Sequence, residues 1–146
     1  MTGFKTLREA IIQKINDSIE SGTIKNIGEA CYSPADISKM PTSFVLPDNL
    51  ESSYQNTAGG RHRLFVFRVF LMQSLENENE TDVEKLLDGA VDELIDLFDK
   101  KDALNNVDDL LHIRPVPSVW TYGEFQGGTV RLATMTLNCD GIVETT

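Results

Sequence analysis

The sequence has no run of about 18 apolar residues, so no segment reads as a membrane-spanning helix. Cysteine is scarce. Cys31 and Cys139 are the only two, too few for a disulfide framework and without metal-type spacing, so both are expected as buried free thiols. The two histidines, His62 and His112, have no nucleophile at a recognised spacing. G-x-S-x-G, the P-loop, G-x-G-x-x-G after a strand, H-E-x-x-H and C-x-x-C are all missing, so no catalysis, cofactor or metal is expected. Basic residues are outnumbered, with 13 Lys and Arg against 23 Asp and Glu and a formal charge of −10. That balance argues against gripping nucleic acid by phosphate neutralisation. The start, MTGFKTLREAIIQKI, has neither the apolar core nor the cleavage site of a signal peptide, which points to a reducing cytoplasm.

What is present is enough for one domain over residues 1–146. The most apolar stretch is Arg61 to Gln73, RHRLFVFRVFLMQ, which reads as one long strand. One face would carry Arg63, Phe65, Phe67, Val69 and Leu71, the other Leu64, Val66, Arg68, Phe70 and Met72. Two mostly apolar faces mean that both are covered. Either the strand lies between two layers of one domain, or one face packs on the chain's own helices and the other on neighbouring copies. Arg61, His62 and Arg63 make a small basic patch at its entrance, too small for nucleic-acid recognition.

Ahead of this strand, Phe4, Leu7, Ile11, Ile15 and Ile19 recur at helical spacing over residues 3–21, and Gly22 is placed to end the helix. Thr23 to Ser33 reads as a weak strand and Ser43 to Leu46 as a short one between Pro41 and Pro47. Residues 48–60 are polar, end in Gly59-Gly60, and read as a long hairpin loop, either a plain surface loop or one that reaches a partner. Beyond the long strand, Thr81 and Glu84 have the spacing of a capping box, and Val83, Leu86, Leu87, Ala90, Val91, Leu94, Ile95 and Phe98 line a second helix. From Leu110 on the pattern is β: Pro115 and Pro117 suit an edge, and Val119 to Phe125 can pair with Thr129 to Cys139 through Gly127-Gly128.

The outer face of the second helix carries Glu84, Asp88, Asp92, Asp96 and Asp99 as a continuous acidic ridge. Each like-charge pair at this spacing opposes the helix by about 0.2–0.5 kcal/mol, so packing must override it. A solvated face, a negative surface past which DNA slides and a dock for a basic partner all fit. A metal site would need supplementing histidines, which the ridge lacks.

The expected fold is therefore α+β: a mixed, largely antiparallel sheet of four to five strands, two main helices on one face and an extended β-hairpin arm. Two helices cover one face only, which favours self-association through the other. The order of elements, with MPTSFVLPDN, RHRLFVFRVFLMQ, TDVEKLLDGAVDELIDLF and a closing hairpin, resembles the tail terminator (tail completion) proteins of long-tailed bacteriophages over about Phe4 to Cys139.

That resemblance implies a structural virion protein, made in the host cytoplasm and placed in the tail neck. It would form a hexameric ring on the last ring of tail-tube protein, stop tube growth and offer a surface to the head-completion (stopper) protein. DNA would pass through the lumen without specific binding. Tyr54, Arg61, Arg63, Phe65, Phe67 and Phe70 are the expected assembly contacts, and the acidic ridge would face the lumen or a partner. Two other classes stay open: another head–tail connector or neck ring component, and an acidic monomeric or dimeric inhibitor that binds a basic protein.

Overall fold

The computed structural model describes residues 3–57, 60–100, 103–104 and 110–144, with side chains described outside 49–57, 60–62, 110–111, 119 and 142–144. It is an α+β fold. The chain runs through α1 (Phe4–Glu20), β1 (Ala30–Cys31), a 3-10 turn (Pro34–Asp36), β2 (Thr42–Thr57), β3 (Gly60–Ser74), α2 (Glu80–Phe98), β4 (Leu110–Phe125) and β5 (Gly128–Glu144). The strands form one sheet in the order β1-β2-β3-β5-β4. Only β1 and β2 are parallel; the other three pairings are antiparallel.

The helix α1 buries Leu7, Ala10, Ile11 and Ile15 against the sheet. Its end is set by Gly22, whose φ of 79° is open to glycine at little steric cost. There Thr23 N–H donates to Ser18 O and Gly22 N–H to Ile19 O, the paired bonds of a Schellman motif. The start of α2 departs from expectation. Asn79, one residue before the helix, caps it by accepting from Asp82 N–H at 3.2 Å. Thr81 therefore lies inside the first turn, and the Thr81–Glu84 capping box is not used.

Both helices pack on one face of the sheet. Phe65, Phe67, Val69 and Leu71 of β3 meet Leu7, Ile11 and Ile15 of α1 and Leu87, Leu94 and Phe98 of α2 in one core, with Ala133, Met135, Leu137 and Cys139 of β5. Phe4 meets the edges of Phe65 and Phe67 at centroid distances of 5.1 and 5.4 Å. Each ring pair of this kind contributes about 0.5–1.5 kcal/mol beyond the area it buries.

The opposite face is not the bare apolar surface that two helices seemed to leave. The segment between β1 and β2 folds over one end of it and brings Cys31 and Ile37 onto Phe44, Met72 and Val130, with Met40 and Phe70 packed alongside. Phe44 and Phe70 stack at 4.8 Å. A close approach makes this fold-over possible: a Cβ on Gly28 would lie 1.8 Å from Pro41 O.

Residues 48–57 are not a loop. They continue β2 and pair with β3 down to Thr57 opposite Gly60, with shifts between Pro47 and Asn49 and between Ser53 and Thr57. A polar segment can still be a strand where a neighbour supplies its ladder. Nor does the hairpin stand alone, since β5 lines the other side of β3 as far as Glu144 opposite Gly60. The turn between β4 and β5 sits one residue earlier than expected. Gln126 and Gly127 both have positive φ, as in a type I′ turn, while Gly128 already pairs with Phe125.

Candidate assembly surfaces

The residues expected to make assembly contacts fall into three groups. Phe65 and Phe67 are 2% and 0% exposed. They are roofed by α1, so they offer no surface to another chain and are corrected from contacts to core. Phe70 is half-buried in the second cluster against Phe44. Arg63 is half-buried, and its Nε, enclosed by the fold, has no hydrogen-bond partner among the described residues. Tyr54 and Arg61 lie on β2 and β3, but their side chains fall outside the described residues.

The acidic ridge holds together as a surface except at its first member. Asp88, Asp92, Asp96 and Asp99 are exposed. Glu84 instead reaches the sheet and accepts from Arg131 Nε at 2.6 Å, and the Arg131 guanidinium lies 4.2 Å from the centre of the Tyr122 ring. The free ridge is thus four carboxylates on the side of α2 away from its buried residues.

Three polar clamps had no signal in the residue pattern. Glu93, on α2 but off the ridge, accepts from the backbone N–H of Lys25 at 2.6 Å and of Asn26 at 2.7 Å, tying the segment after α1 to α2. Asn16 both accepts from Ala30 N–H at 2.8 Å and donates to Ala30 O at 3.1 Å, closing the outer side of β1. Arg8 donates to Val45 O at 2.8 Å and to Tyr32 O, and stacks 3.7 Å from the centre of the Tyr32 ring. Side chains that pair with backbone leave no periodic trace, so only the fold reveals them.

An open groove of about 650 Å³ runs between α1 and the end of α2, past Gln13, Lys14, Asp17 and Lys100, without a histidine or cysteine in its walls. No group of three or more His, Cys, Asp or Glu among the described residues is placed to hold a metal ion. Burial pushes the Cys139 thiol up to about 12 and raises Cys31 as well, so both are protonated at neutral pH and poor nucleophiles. No helix among the described residues is long and apolar enough to cross a membrane.

No described strand pairs with the outer side of β4 or with that of β2 beyond Phe44. Past the row of Phe65, Cys139 and Ile113, β2, β3 and β5 run on to Thr57, Gly60 and Glu144. From Phe65 to Gly60 that is about 16 Å of sheet at 3.3 Å per residue. Comparison with models of known protein families gives no match, and comparison with curated proteins gives none either.

Proposed function

We propose that this chain is a structural, non-catalytic subunit of a phage tail. Several copies close into a ring on the end of a tail tube, stop its growth and present the joining surface for the head. The reading rests on the resemblance of element order and is supported above all by one observation: no described strand pairs with the outer side of β4 or with that of β2 beyond Phe44. An unpaired sheet edge is a surface that other chains can complete. The exposed carboxylates of α2 suit a lumen that DNA crosses without sticking, because they repel phosphates.

The test is tube polymerisation in the presence of the cognate tail-tube protein. Substoichiometric amounts of this chain should shorten the tubes in proportion to the ratio added. Tubes of unchanged length at every ratio would remove the proposal.

A second reading is favoured by the same exposed ridge, because Asp88, Asp92, Asp96 and Asp99 point away from the body of the subunit. In it the chain is an acidic inhibitor that occupies a basic protein. Such a complex should weaken steeply between low and high salt, whereas tube capping through strands should not.

A further inference from the structure

The two long edges of the sheet are treated differently. Ser43 N–H donates to Glu29 O and Val45 O accepts from Arg8, so these residues direct their backbone groups away from β3. In an antiparallel ladder such residues alternate with those bonded to the partner. Carrying the alternation through the register of β3 and β5 places Pro115, opposite Leu137, and Pro117, opposite Met135, at outward positions of β4. The proline ring has no N–H, so two successive outward donors are missing, and the register shifts again between Pro117 and Trp120. Natural sheets blunt an edge in this way to stop another strand from adding to it.

The edge of β2 is guarded only at its beginning. There β1 pairs with Ser43 and Phe44, and Arg8 occupies Val45 O. Past the shift at Asp48, Asn49 to Ser53 run in unbroken register against Val66 to His62. Within this run the alternation turns the backbone groups of Leu50 and Ser52 outward. No described strand lies on that side, and no proline follows Pro47 in β2.

We propose that the outer edge of β2 from Asn49 to Ser53 pairs antiparallel with the same edge of a second copy of this chain, making the free protein a two-fold dimer. An unpaired edge asks for an extended backbone, and a two-fold axis lets one edge satisfy itself in both partners at once. Self-pairing is also compatible with the charges. With Ser52 opposite Ser52, Leu50 faces Tyr54, Glu51 faces Ser53 and Asp48 faces Asn56, so no carboxylate opposes another. Such a pairing is closed, so the dimer must open before copies can close head to tail into a ring. The inference does not depend on the ring.

Sedimentation of the full chain tests it, using Ser52→Pro and Ser52→Cys. Ser52 sits opposite Arg63 at a position where β2 gives no bond to β3, so proline there removes only the outward donor, as Pro115 and Pro117 do in β4. Wild type should sediment as a dimer, and Ser52→Pro as a monomer whose unfolding midpoint equals that of wild type at concentrations where both are monomeric. The dimer should dissociate at roughly a hundredfold lower concentration in wild type than in the variant, the scale of a few lost hydrogen bonds. Facing residues of a bonded pair lie about 5.5 Å apart between Cα atoms, within disulfide range. Mild oxidation should therefore link Ser52→Cys quantitatively at twice the mass, while the buried Cys31 and Cys139 stay out of the reaction. A wild-type monomer at every concentration, a dimer untouched by Ser52→Pro, or a dimer that Ser52→Cys fails to link would each overturn the proposal. If Ser52→Pro does not fold, the linking yield decides alone. A ring that ignores Ser52→Pro would overturn it while leaving the proposed function standing.

Discussion

Neutralising the ridge on α2 should make the protein more stable. Asp88, Asp92 and Asp96 follow one another at four-residue spacing, and Asp99 lies three beyond Asp96. That makes three like-charge neighbours along the exposed face, 88/92, 92/96 and 96/99. The pair 84/88 is left out because Arg131 holds Glu84. At about 0.2–0.5 kcal/mol each, the three oppose the helix by roughly 1 kcal/mol at low ionic strength. Asp96 and Asp99 also sit at the negative end of the helix dipole, for about another 0.5 kcal/mol after allowance for solvent. The variant carrying Asp88→Asn, Asp92→Asn and Asp96→Asn should thus gain on the order of 1 kcal/mol in urea unfolding, with an unchanged denaturant slope. The gain should shrink by more than half in about 1 M salt, where the screening length falls to about 3 Å. A carboxylate surface retained at a cost in stability is what a functional role for the ridge requires. No gain, or a gain insensitive to salt, would refute the reasoning and leave the ridge as an ordinary solvated face.

Three other perturbations follow from single contacts. Glu93→Ala should cost about 2 kcal/mol, less than two full charge-assisted bonds because water reaches Lys25 N–H, and Glu93→Gln about half that, both read by chemical denaturation. Gly28→Ala should cost about 3 kcal/mol or prevent folding, because its Cβ meets the backbone of Pro41 and Thr42 rather than a movable side chain; thermal unfolding reads it. Cys139 keeps its proton in the folded chain to about pH 12, while the unfolded thiol loses it near 9.0. Its contribution is present in full below pH 9 and lost as pH rises through that window, so wild-type stability should fall there by up to about 4 kcal/mol. Cys139→Ala should show a flatter alkaline limb despite a lower starting stability.

Elements with a strong apolar period could be read from the chain alone. The spacing of Leu7, Ile11 and Ile15, the run from Phe65 to Leu71 and the face from Val83 to Phe98 each marked a real element, and their sum gave an α+β fold with both helices on one side. The misreadings share a cause. Residues 48–57 are polar and form a strand because β3 supplies the ladder, a non-local condition that composition does not encode. Phe65 and Phe67 looked available because alternation says which residues share a face but not which face α1 will cover. The cap falls at Asn79 rather than at Thr81, because either spacing is sound until the helix start is known. As for the candidate surfaces, the ridge was visible as a repeat, whereas the open edge of β2 required the register of three neighbouring strands.

The most direct test of the proposed tail role is negative-stain imaging of the purified chain alone and mixed with polymerised tail-tube protein, with mass measured in parallel. A distinct cap at one end of each tube, built from several copies of this chain, is the expected result. Bare tube ends at every concentration, with the chain remaining free in solution, would contradict it.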